Sequence, residues 1–324
     1  MISFITTFKP FKGLARVHQI NALRSWTKFV KDAEIIVVGK CDGFEEVIKE
    51  FHPNLKYIKE VKTSYSGAPF LDDMLNKALC QAINELICVI NGDIIILSDF
   101  IKTVCRLYNY LNDFLLTCRR IDLEVNQVLD FDNDRTELYL KNTARKIYNY
   151  LQDKRVLPYD LFVFTRDFLK NTQIPPFVYG RGIFVRWYIY NAHCKHIPII
   201  DATPVLTAIH QLHLYEHIKD SLVQEIIQKT SDSWLGIASG KEFEWNVNVA
   251  GCAAYFSEGD FTHILTERGL LELNSPQRVL RRFIKTPLLA PYSKISLPII
   301  KFVLPNKTIR AIVKRILKER KLFY

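Results

Sequence analysis

Between residues 2 and 90 the chain alternates short apolar runs with longer stretches of helical period, and this alternation limits the fold more than any other feature. Ile2–Thr6, Glu34–Val38 and Leu86–Ile90 are nearly continuous in apolar or β-branched residues, and residues 56–58 form a shorter run of the same kind. Between them, residues 14–30 place Leu14, Val17, Ile20, Leu23 and Trp26 on one helical face. Residues 44–51 and 69–84 read as two further helices. Strands apolar on both faces and separated by helices predict a mainly parallel sheet covered by helices. Further on, residues 99–109 read as a helix, 114–118, 161–164 and 197–201 as strands, and the polar stretch 130–135 as a loop.

The 324 residues suffice for one large domain or a core with an appendage. A hydrophobic content of 48% with 24% charged residues excludes a disordered chain. No apolar stretch reaches the ~18 residues of a membrane-spanning helix. The opening residues read as a strand and lack the pattern of a secretory signal. Seven scattered cysteines form no CxxC pair, so reduced core thiols and a cytoplasmic location are expected. The net charge of +10 is unevenly placed. Residues 276–324 hold thirteen Lys and Arg against one acid, Glu319, a local +12 that leaves −2 for residues 1–275. A nearly neutral body argues against a nucleic-acid partner, and no aromatic–basic interleaving suited to base stacking is present.

The sharpest local feature is Asn91-Gly92-Asp93, which ends the apolar run 86–90 and precedes another. Polar groups at the carboxyl end of a sheet strand stand where open α/β sheets bind ligands. Asn91 and Asp93 offer oxygens to a hard divalent cation, Mn2+ or Mg2+, which could hold a diphosphate. The same three residues could equally be a tight turn between two hairpin strands. A second cluster places His210, His213 and His217 within eight residues of a chain that has eight histidines in all. Imidazoles suit Mn2+-like ions, although a single histidine is more commonly a satisfied core or surface group. On a helix His213 and His217 would share a face; on a strand His210 and His217 would not. Asp160, entering an aromatic-rich run, is a candidate base or ligand for an acceptor hydroxyl, or else a strand-edge cap.

These segments together resemble a family of GT-A glycosyltransferases associated with surface polysaccharides. The resemblance is carried by residues 5–11, 19–26, 34–39, 90–95, 160–164, 200–203 and 209–217, and more faintly by 246–251 and 262–269. It implies an α/β fold of GT-A (Rossmann-like) type, a mixed sheet flanked by helices, and a nucleotide-diphosphate sugar as donor. It further implies that Thr6, Thr7 and Phe8 hold the base with Arg24 nearby, and that the loop around Gly67 walls the phosphates or sugar. Asn91, Gly92 and Asp93 stand where such enzymes carry Asp-x-Asp, with a later histidine completing the metal site. Arg181 and Trp187 are retained from a family segment whose Asp and Asn are replaced here by Val185 and Arg186, which implies that Asp160 takes that role, that the acceptor is changed or that activity is lost.

From this reading, residues 1–230 are expected to be the catalytic domain and 231–275 a helical appendage on the acceptor side. Residues 276–324 are expected to be a basic helical extension. Within 306–321, Ile309, Ile312, Val313, Ile316 and Leu317 fall on one helical face and most Lys and Arg on the other. Such a helix can lie in an anionic membrane surface or dock on the protein's own body. The expected partners are the nucleotide-sugar donor, a saccharide or lipid-linked glycan acceptor, and the inner face of a membrane.

Overall fold

The structure, a computed structural model, describes residues 1–51, 55–64, 67–151, 159–180, 183–195, 197–213, 252–257 and 260–265. Its elements are, in order, β1 (Ile2–Thr6), α1 (Gly13–Phe29), β2 (Glu34–Val38), α2 (Phe44–Ile48), β3 (Leu55–Ile58), α3 (Leu71–Gln81), β4 (Leu86–Ile90), β5 (Ile94–Ile96) and α4 (Ser98–Tyr110). They continue with β6 (Leu115–Thr117), β7 (Arg120–Leu123), α5 (Asp134–Leu151), β8 (Leu161–Thr165), α6 (Ile183–Cys194), β9 (Ile199–Asp201), β10 (Ala208–Gln211), β11 (Cys252–Ser257) and β12 (Asp260–Leu265). The expected mixed sheet flanked by helices is what forms.

The large sheet runs β12-β11-β9-β6-β8-β4-β1-β2-β3, and a second, three-stranded sheet runs β5-β10-β7. Strands β4, β1, β2 and β3 are parallel, as their two-sided burial predicts, while β8 runs antiparallel to both β4 and β6. The chain winds from β1 outward to β3 and then returns to place β4 on the other side of β1. The carboxyl ends of β1 and β4 therefore flank a topological switch point, where an open sheet leaves room for a ligand.

Helix α1 shows why composition alone misjudges a face. Leu14 is exposed and Val17 only half-buried, whereas His18, Gln19, Asn21 and Ser25 are buried beside Ile20, Leu23 and Trp26. The polar side chains repay their burial with specific bonds. Trp26 Nε1 donates to Ile94 O at 2.9 Å, and Ser25 Oγ accepts from Ile96 N at 3.3 Å, so the helix is tied to β5. Phe4 stacks on Trp26 with centroids 5.5 Å apart, continuing the core into the large sheet.

Several sequence expectations are corrected. Part of the loop expected at 130–135 opens helix α5, which packs through Leu140, Ala144 and Ile147 in an otherwise charged segment. Helix α6 occupies an aromatic-rich stretch with no clear amphipathic pattern. Within 231–275, the described residues are two paired strands, β11 and β12, which extend the sheet beside β9. Cys41, Cys88 and Cys118 are core thiols, whereas Cys80, Cys105 and Cys194 are exposed. No described helix is long and apolar enough to cross a membrane. The amphipathic segment 306–321 lies outside the described residues.

Candidate metal centre

Asn91-Gly92-Asp93 does not join a hairpin. The strand before it, β4, belongs to the large sheet, and the strand after it, β5, pairs with β10 in the small one. The three residues bridge the two layers at the switch point. Asn91 N donates to Asp160 O at 3.0 Å and Asn91 O accepts from Ile94 N at 3.2 Å, fixing the bend. Gly92 is required by space: a Cβ there would stand 2.5 Å from Phe8 Cδ1 and 2.8 Å from Thr7 O. Thr7 and Phe8, just after β1, are thus pressed against Gly92 in the segment after β4.

Two of the three histidines come together at Asp93. His210 lies on β10, in register with Ile94 of β5 and Asp122 of β7, and His213 follows just past the strand. The strand delivers both rings to Asp93. His213 Nε2 is 3.1 Å from Asp93 Oδ2, and His210 Nε2 is 3.6 Å from the same oxygen. The ligand atoms of Asp93, His210 and His213 all lie within 4.8 Å of one another. His217 lies outside the described residues.

This set fits a divalent cation. Ligand atoms about 2.1 Å from one ion stand about 3.0 Å apart at right angles and about 3.4 Å apart in a tetrahedron, close to the observed spacings. Asp93 Oδ1 is buried with no hydrogen-bond partner among the described residues. A buried anionic oxygen left in that state is costly, and a cation is its natural complement. Burial alone would raise the Asp93 carboxyl; the His213 contact, His210 and Lys9 outweigh it and bring it down to about 2. The group is therefore ionised and ready to ligate.

The surroundings hold this set in place. Gln211 Nε2 donates to Asp93 O at 3.0 Å and to His18 O at 2.8 Å, while its Oε1 accepts from Asn21 Nδ2 at 2.9 Å. His18 Nε2 donates to Val125 O at 2.8 Å, its ring 6.3 Å from that of His213. Lys9 Nζ lies 3.2 Å from His213 Nε2, and Lys9's backbone is gripped at both ends by the Gln19 amide at 2.6 and 3.0 Å. Asp122, Arg120, Lys9, His18 and Gln211 are additions to the residues expected from sequence. Lys9 and Gln211 lie inside the segments 5–11 and 209–217 and His18 among the polar side chains of α1, whereas no local signal marks Asp122 or Arg120.

No protein-family model and no curated protein matches the sequence. Solved structures similar to the chain do exist. One is S. aureus TarS 1–349 in complex with UDP-GlcNAc, 14% identical with a TM-score of 0.47, over 71% of this chain and 64% of that one. Another is the mannosyltransferase PcManGT from Pyrobaculum calidifontis in complex with GDP-Man and Mn2+, 13% identical, TM-score 0.46, over 74% and 64%. A third is glucosyl-3-phosphoglycerate synthase from Mycobacterium tuberculosis in complex with Mg2+ and UDP, 15% identical, TM-score 0.43, over 82% and 86%. The chain thus spans less than two thirds of the length of the first two.

The remaining expected residues are placed as follows. Thr6 is fully buried, and Phe8 is packed into an aromatic cluster with Phe11, Trp26 and Phe44. Thr7 is half-buried beside Gly39 and Pro69, so the loop bearing Gly67 lies on the β1 side of the switch point. Asp160 sits opposite Asn91 at the start of β8, with its carboxylate paired to Arg120. Burial raises the Asp160 carboxyl, and Arg120 only partly offsets this. Arg24 pairs with Glu50 at 3.8 Å instead of joining the cluster. Arg181 lies outside the described residues.

Proposed function

We propose that this protein is a metal-dependent glycosyltransferase that moves a sugar from a nucleotide-diphosphate donor to a saccharide or lipid-linked glycan in surface polysaccharide biosynthesis. The observation that carries the reading is the Asp93–His210–His213 set at the switch point, with one buried carboxylate oxygen left unpartnered. A bound divalent cation would neutralise charge on the diphosphate as the glycosidic bond breaks. The chain's own residues do the rest. Asp93, His210 and His213 hold the cation, and Asn91 stands beside them at the end of β4.

Thr7, with Phe8 behind it, and the loop around Gly67 form the donor side. Asp160 is the group on the acceptor side. A carboxyl raised by burial is a stronger base once ionised, and Arg120 holds its direction. UDP and GDP-Man with Mn2+ or Mg2+, the ligands of the similar structures, define the donor class to test. In this reading residues 1–230 form the catalytic unit and residues 306–321 keep it on the cytoplasmic face of a membrane. A non-catalytic binding protein on the same fold is the second reading, favoured by Asn91, Val185 and Arg186 standing where acidic or amide residues are expected.

Isothermal titration with UDP, GDP and CDP, with and without Mn2+, tests binding. Slow donor hydrolysis that disappears in Asp93→Ala separates the enzyme from the binding protein. Failure of all three nucleotides to bind in the presence of Mn2+ would refute both.

A further inference from the structure

We propose that Asp122 and Arg120 are positioning residues of the cation site: Asp122 fixes the orientation and tautomer of His210, and Arg120 ties that carboxylate to Asp160. The inference rests on the metal-site part of the reading above, and not on sugar transfer.

Strand β7 pairs in parallel with β10, setting Asp122 against His210 and Arg120 against Ala208. Residues two apart on a strand share a face, so Arg120 and Asp122 act together. Asp122 Oδ1 lies 2.9 Å from His210 Nδ1. Arg120 Nε lies 3.0 Å from the same oxygen, and Arg120 NH1 pairs with Asp160 Oδ2. One guanidinium therefore lies within ion-pair distance of two carboxylates. The run Asp160, Arg120, Asp122, His210, Asp93 is continuous from the acceptor side to the cation set.

An imidazole ligates through a nitrogen that carries no proton, and its tautomer is set by the bond its other nitrogen makes. With an ionised carboxylate at Nδ1, a proton is held on that nitrogen, so Nε2, which faces Asp93, is the one left to ligate when a cation displaces any proton there. His210 is 2% exposed and Arg120 11%, whereas Asp122 is 41% exposed. A carboxylate so open to water adds little to stability as half of a surface ion pair. Its use is directional. Without it, the Nδ1 edge of His210 meets solvent, either nitrogen can hold the proton, and the ring loses its reason to present Nε2.

The test is Mn2+ alone, titrated into the full chain and followed by the electron paramagnetic resonance signal of the free ion. Selective 15N-histidine NMR of the protein loaded with diamagnetic Mg2+ reports the tautomer. Wild type is expected to bind one Mn2+, and Asp93→Asn to lose it. Asp122→Ala is expected to weaken Mn2+ binding by about ten- to a hundredfold, with little change in thermal midpoint and with loss of the pure Nδ1–H form of His210. Asp122→Asn, which keeps an oxygen but can also offer an amide, falls between them. Arg120→Met weakens binding less than Asp122→Ala, and an unchanged affinity would remove Arg120 from the proposal. An Asp122→Ala protein that binds Mn2+ within twofold of wild type, with His210 in the same tautomer, overturns the inference while leaving the cation site standing. If wild type does not bind Mn2+, or Asp93→Asn binds it equally well, the cation site itself fails and the inference goes with it.

Discussion

Replacing Gly92 by alanine probes the packing that unites the two halves of the switch point. The added methyl would stand 2.5 Å from Phe8 Cδ1, 2.8 Å from Phe8 Cε1 and 2.8 Å from Thr7 O. Ordinary carbon contact begins near 3.5 Å, so one side must retreat by about 1 Å. Phe8 has little room to yield, with the Phe11, Phe44 and Trp26 ring centroids 5.3, 5.5 and 6.3 Å away. If the ring is forced outward, overpacking costs about 1–3 kcal/mol, which in a domain of this size lowers the thermal midpoint by about 2–12 °C.

If instead the 91–93 segment moves, Asp93 leaves a ligand set whose working tolerance is about 0.2 Å. Mn2+ affinity then falls while the thermal midpoint holds. Calorimetry and Mn2+ titration on the same sample separate the two cases. Adding Phe8→Leu to Gly92→Ala should recover part of either loss, because the two sites touch and their effects do not add. A Gly92→Ala protein with both melting and Mn2+ affinity unchanged would show that the segments after β1 and β4 are not pressed together as described.

Mn2+ itself should stabilise the fold by about 2.7 kcal/mol at a hundred times its Kd and so raise the thermal midpoint in a concentration-dependent way, and Asp93→Ala should remove that response in a scanning-fluorimetry series. Asn21→Ala leaves Gln211 Oε1, Gln127 O and Leu129 N without their bonds to Asn21, so a loss of about 1–3 kcal/mol in urea unfolding is expected. Glu34 supplies a pH dependence. Burial pushes its carboxyl up, but Lys56, the Ser3 hydroxyl and the Ile83 N–H hold it below the ordinary value. The stability it adds is therefore full above the ordinary glutamate pKa of about 4.3 and lost as pH falls through the lower folded value. Unfolding curves of wild type and Glu34→Gln should differ at pH 7 and converge in acid. Removal of residues 306–321 should abolish cosedimentation with anionic vesicles and leave Mn2+ binding intact; vesicle binding that survives the deletion would count against the tail as anchor.

Strands β1, β2 and β4 were legible because burial on both faces writes a continuous apolar run, and the polar break at 91–93 marked their carboxyl edge. His210 and His213 were legible by crowding. Their partners were not. Asp122 is 88 residues from His210 and meets it only because β7 and β10 adopt one register, which no local period encodes. The small sheet was hidden for the same reason, since β5, β7 and β10 are three or four residues each and scattered over the chain. Arg24 was placed near the site by the family resemblance, yet its side chain pairs with Glu50.

The chain leaves one sheet at Ile90 and enters the other at Ile94, so Asp93 belongs to neither layer. Its place is defined by two bodies at once, like a pin through two plates. A substitution that lets either plate slide, even one far from any histidine, would be felt first as a poorer grip on the ion, while circular dichroism still reported an intact protein.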